Sequence, residues 1–82
     1  MAGNAQAQLE IGRHHAEGKV VPYDLDEAYR WFRLAANHDL PDALLEVALA
    51  HEYGLGADVD YDAAFEYYME ALRLHPKPLP FK

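Results

Sequence analysis

The chain has 82 residues, a formal net charge of −7 and no cysteine. That length allows one domain with a thin core, and the missing cysteine excludes both a disulfide framework and any thiolate zinc site. Fourteen acids against seven bases argue against a nucleic-acid partner. Serine and threonine are missing too, so the hydroxyl and thiol nucleophiles that dominate covalent catalysis are absent.

The first predicted helix runs from about Asn4 to Ala16, with Ala7, Ile11 and His15 at i, i+4 and i+8 as its core stripe. Gly18 ends it, and the loop through Pro22 follows. Asp24 reads as an N-cap with Glu27 completing a capping box. The second helix places Ala28, Trp31, Phe32, Ala35 and Ala36 on its buried face. A third helix starts near Pro41, a good first-turn residue. It breaks at Gly54-Leu55-Gly56, and a fourth restarts at Asp60 and carries Ala64, Tyr67, Tyr68, Ala71 and Leu72. After His75, prolines at 76, 78 and 80 forbid helix and favour an extended path.

These four helices are two copies of one pair. A shift of 36 residues aligns Ala7 with Ala43, Glu10 with Glu46, His15 with His51, Gly18 with Gly54, Asp24 with Asp60, Asp26 with Asp62, Ala28 with Ala64 and Ala35 with Ala71, without a gap. Apolar pairs keep the same register: Leu9 with Leu45, Ile11 with Val47, Tyr29 with Phe65, Trp31 with Tyr67 and Phe32 with Tyr68. Self-similarity at a fixed period is the signature of a repeat array. The repeats span about 3–38 and about 39–75, with a Pro-rich tail at 76–82 inside one domain of 1–82.

The pattern resembles the Sel1-like repeat family, a relative of the tetratricopeptide repeat. The first unit offers Ala5, Ala7, Ile11-Gly12, Gly18-x-Val20-Val21, Asp24, Ala28, Trp31 and Ala35-Ala36. The second offers Ala43, Val47-Ala48, Gly54-x-Gly56-Ala57, Asp60, Ala64, Tyr67 and Ala71-Leu72. His15 and His51 stand where the family has an aromatic, Ala48 replaces a helix glycine, and Val20 replaces a loop glycine, which bears on loop geometry. The resemblance implies an all-α, right-handed, tetratricopeptide-like solenoid of two helix–turn–helix repeats. It also implies an adaptor or scaffold role, with a protein or peptide as partner and no enzyme activity or cofactor.

Two surfaces follow as candidates. First helices line the concave face of a stacked array. Beside the core stripe run Gln6, Leu9, Arg13 and Glu17, and in the second unit Asp42, Leu45, Leu49, Glu52 and Tyr53. These read as a mixed peptide groove with Leu45, Leu49 and Tyr53 as anchors and Arg13 as a charge clamp. The alternative is that Leu9 and Leu45 are core and the rest is solvated surface. The second surface is the end helix, where Tyr61, Phe65, Tyr68, Met69 and Leu72 have no third repeat to meet. Its covers are the tail through Leu79 and Phe81, a second copy in a homodimer through the C-terminal helix, or a foreign partner.

Other clusters read as structure. His15 and His51 are expected as packed rings with a hydrogen-bonded nitrogen rather than metal ligands, and Asp60 and Asp62 as helix-start residues rather than a calcium loop. No window is apolar and long enough to cross a membrane. Without a signal peptide at residues 1–5, a cytoplasmic location is expected. The leading function is a protein–protein interaction module. A self-assembling structural unit and a small acidic inhibitor or immunity-type protein are the alternatives.

Overall fold

The computed structural model describes residues 4–74. They form four helices: α1 (Ala5–Glu17), α2 (Leu25–Ala36), α3 (Pro41–Tyr53) and α4 (Tyr61–Leu74). Each helix packs on the next in the chain: α1 on α2, α2 on α3, and α3 on α4. The predicted tail over 76–82, with Leu79 and Phe81, lies outside the described residues.

The 36-residue period is written in hydrogen bonds as well as in letters. The Gly18 and Gly54 N–H groups return to the carbonyls of His14 and Ala50, both glycines in the left-handed region that ends a helix. The Asp24 N–H donates to the His15 carbonyl at 3.0 Å, and the Asp60 N–H to the His51 carbonyl at 2.9 Å. The Asp24 carboxylate then accepts from the Glu27 N–H at 3.1 Å, and the Asp60 carboxylate from the Ala63 N–H at 3.0 Å. Each aspartate therefore ties the end of one helix to the start of the next.

One detail of the predicted capping box differs. The Glu27 side chain does not return to the cap; its carboxylate accepts from Trp31 Nε1 and Arg30. The Asp24 N–H that it would have satisfied is already bonded to His15.

The core is built mostly of alanines, which allow close helix approach. Ala28, Ala35, Ala36, Ala43 and Ala71 surround Leu9, Phe32, Leu44 and Val47. On α1 the buried residues are Gln8, Leu9 and Gly12, not the expected stripe of Ala7, Ile11 and His15. Ile11 is exposed, and Ala7 and His15 are half-buried. The reason lies in the neighbours. α1 packs on α2 through the side bearing Gly12, where an added Cβ would stand 2.7 Å from the Phe32 ring. The side bearing Ala7 and Ile11 corresponds to Ala43 and Val47, which are fully buried in the core cluster that includes α2.

Candidate protein-binding surfaces

The two helix pairs are joined by a chain of polar contacts. Arg33 Nη1 donates to the Tyr29 hydroxyl at 3.1 Å, and that hydroxyl lies 2.9 Å from His51 Nε2. His51 Nδ1 lies 3.1 Å from the Asp58 carbonyl. A carbonyl only accepts, so in the neutral ring Nδ1 carries the proton and Nε2 accepts from the Tyr29 hydroxyl. The ring also meets Tyr29 edge-on at 5.4 Å and stacks over Tyr67 at 6.0 Å. His51 is thus a packed ring bonded at both nitrogens, linking α2, α3, the second loop and α4. The hydrogen bond to Tyr29 helps hold the Arg33 guanidinium above its ordinary pKa. His15 keeps the packed position without the bonds, since its Nδ1 is buried and lacks a partner. No group of three or more His, Asp or Glu is placed to hold a metal ion among the described residues.

On the first surface, Gln6, Glu17 and Tyr53 are exposed and Leu49 is half-buried on the solvent side of α1 and α3. Arg13 is not an unengaged clamp. Its Nε lies 3.5 Å from Glu46 and its Nη1 3.9 Å from Glu10, so its charge already bridges α1 to α3. Gln6 donates to Glu10 at 3.2 Å. Glu52 accepts from the Tyr68 hydroxyl at 2.6 Å, which ties it to α4. What this side offers a partner is Leu49 with Tyr53, one turn apart.

Leu9 leaves the groove altogether, because it is fully buried. Leu45, its mate, is half-buried and packs on the edge of the core. Leu9 lies within the core cluster that also holds Ala43, Leu44 and Val47, whereas Leu45 packs against that cluster from its edge. Leu45 therefore belongs with the end of the molecule, a placement that the 36-residue register supports once burial of its mate is known.

The second surface is that end. Tyr61, Phe65, Met69 and Leu72 run along α4 at spacings of four, four and three, and are 70%, 64%, 48% and 42% exposed. Their mates on α2 include Phe32's neighbours Tyr29, half-buried, and Ala36, only 6% exposed. Contiguous exposed apolar patches mark candidate interaction sites. Phe65, Met69 and Leu72 line a shallow depression with Glu66, Glu70 and Arg73 at its rim. Glu70 and Arg73 form an ion pair; its hydrogen bond holds the Glu70 carboxyl below its usual range and Arg73 above its own. Tyr68 sits at the inner margin. Burial first, and then its bond to Glu52, push its phenol up to about 12.

Comparison with known proteins adds the family dimension. A model described as Sel1 repeat matches residues 5–40 and 41–74. Among solved structures, a Sel1 repeat protein from Oxalobacter formigenes is 28% identical with a TM-score of 0.85, over 87% of this chain and 29% of that one. A protective antigen present in uropathogenic Escherichia coli strains, displaying an SLR fold, is 34% identical with a TM-score of 0.87, over 89% of this chain and 16% of that one. The chain thus spans less than a third of either. The search of curated proteins found no match.

Proposed function

Because the chain belongs to the Sel1 repeat family, whose repeats mediate protein–protein interaction and form non-catalytic scaffolds, we propose that it is an adaptor module that binds a protein partner through the end face on α4. The observation that carries this reading is the exposed stripe of Tyr61, Phe65, Met69 and Leu72, three of whose mates are less exposed: Leu25 and Tyr29 are half-buried and Ala36 is buried. Aromatic and methionine side chains in one apolar stripe are the composition of an interface core. Tyr68, half-buried on the same helix, ties this face to Glu52 of α3.

A second reading uses the solvent side of α1 and α3 and rests on Leu49 and Tyr53. It is the weaker one, since Arg13 and Glu52 are already engaged within the chain. No helix of the described residues is long and apolar enough to cross a membrane, and the acidic charge disfavours nucleic acid. Affinity capture with quantitative mass spectrometry separates the two surfaces. Partners lost with Phe65→Asp/Met69→Asp but kept with Leu49→Asp are the expected result. Partners lost only with Leu49→Asp would move the interface to the other side, and partners indifferent to both would remove the proposal.

A further inference from the structure

The two ends of this array are not complementary to each other, and the steric mismatch lies in two residues, His14 and Val20. In the chain, α2 is followed by α3, and the contact between repeats has two halves. The α2 half includes Leu25, which lies against Gly56, and Tyr29, which bonds to His51; their mates on α4 are Tyr61 and Phe65. The α3 half includes Ala43, Val47 and Ala50 along one helix side, together with Gly56 in the loop beyond. Exposure identifies that side: Ala43, Val47 and Ala50 are 0%, 0% and 3% exposed, whereas their mates Ala7 and His14 are half-buried and Ile11 is exposed.

Gly56 brings the backbone of the second repeat close to that of the first. A Cβ built there would stand 2.1 Å from the Leu25 carbonyl oxygen and 2.7 Å from its carbon, so only glycine fits against that backbone. Its φ of 79° is a second reason for glycine. The first repeat has Val20 in this place, exposed and without positive φ. It also has His14 where the second has the buried Ala50, and Asn4 where the second has the core-packed Leu40. A second copy that presented α1 to α4 would drive Val20 towards the backbone of Tyr61 and an imidazole into space sized for a methyl group.

Pairing α4 with α4 of a second copy fares no better. An antiparallel two-fold pairing lays the same flank of both helices together. That flank carries Asp62, Glu66 and Glu70 on each copy, and Arg73, already paired with Glu70, is the one base of the helix.

Resting on the reading that α4 is the binding face, we propose that it docks a helix–loop edge of a different polypeptide, one with glycine in the place of Gly56 and a small residue in the place of Ala50, and that His14 and Val20 keep copies of this chain from supplying that edge. The α2–α3 contact is the template for the docked state, so the partner presents a small and apolar helix side rather than an extended peptide. The array then grows in one direction only. Its first end is closed to self-stacking, and its last end accepts a partner of stated shape.

The chain itself provides the probe. His14→Ala/Val20→Gly opens the α1 end, and Phe65→Asp/Met69→Asp in the same molecule closes its own α4. Mixed with the wild-type chain at micromolar concentration and followed by sedimentation velocity, this probe is expected to form a one-to-one complex. Wild type alone, probe alone, and a mixture in which the probe keeps His14 and Val20 are expected to stay monomeric. Opening α1 while leaving α4 intact is expected to give a concentration-dependent ladder, as head-to-tail contacts do not close.

Three results overturn the proposal. One is a wild-type dimer abolished by Phe65→Asp/Met69→Asp, which makes a second copy the occupant. Another is a probe that is folded by circular dichroism yet fails to bind. The last is a probe that binds only after residues 75–82 are removed, which makes the tail the occupant. If captured partners depend on α4 but the probe does not bind, the docking geometry falls and the adaptor function stands.

Discussion

Val20 and Gly56 hold the same place in the two repeats, as do Leu9 and Leu45, or Phe32 and Tyr68. In each pair one member is more deeply buried than its mate, and Gly56 is pressed against the neighbouring repeat. Gly56 lies against the Leu25 carbonyl, while Val20 is exposed. Leu9 and Phe32 are buried, while Leu45 and Tyr68 are half-buried. Burial in an array is thus a property of the junction and not of the unit, because each repeat contacts only its neighbours. A residue's role follows from what stands beside its repeat.

The sharpest way to break this comparison is to exchange the loop residues. Gly56→Val places a branched side chain against backbone and removes the residue suited to positive φ. The clash and the strain together should cost about 3 kcal/mol or more, a large share of the stability of a domain this small. Val20→Gly, in a site with room around it, should change stability by less than about 1 kcal/mol. Urea unfolding followed by far-UV circular dichroism measures both. Equal losses would mean that Gly56 answers to its own loop and not to the repeat beside it.

The leucines give the next contrast. Leu9→Ala removes a sealed side chain and should cost about 3 kcal/mol. Leu45→Ala, at the open end, should cost about 1 kcal/mol. Comparable costs for the two would show that something seals Leu45 in solution, which would bring the occupant of the end face into the measured stability.

These pairs also show what the sequence can and cannot convey. The period, the four helices, the cap roles of Asp24 and Asp60 and the Pro41 start were legible, because each rests on local backbone chemistry or on self-comparison. The core stripe of α1 was not. Ala7, Ile11 and His15 do form a stripe at helical spacing, but spacing does not tell which side meets a neighbour, and this one corresponds to a junction that α1 does not make. Arg13 looked like a clamp because its partner Glu46 lies 33 positions along the chain and is brought near by stacking. Leu45 looked like groove for the same reason. Of the residues expected on the open side of α4, Tyr61, Phe65, Met69 and Leu72 are exposed, while Tyr68 is half-buried because its hydroxyl reaches back to Glu52.

The smallest expected effect concerns Tyr68, whose mate Phe32 is buried in the core. At the open margin a hydroxyl is tolerated, and it donates to Glu52 at 2.6 Å. Burial and this bond raise the phenol to about 12 in the folded chain, against about 10 when unfolded. The folded state therefore keeps a proton that the unfolded chain has lost, and stability falls as pH rises through that interval. The contribution of Tyr68 is full below about pH 10 and is lost by the folded value. Comparing urea midpoints of wild type and Tyr68→Phe from neutral to alkaline pH isolates it, because the two curves should converge as the phenol ionises. Glu52→Gln keeps an acceptor but removes the charge, so it should bring the phenol partway back toward its ordinary value. A partner docked on α4 should push the ionisation higher still, by burying the margin where Tyr68 sits. An unchanged tyrosine titration in the bound state would place the interface elsewhere on the array.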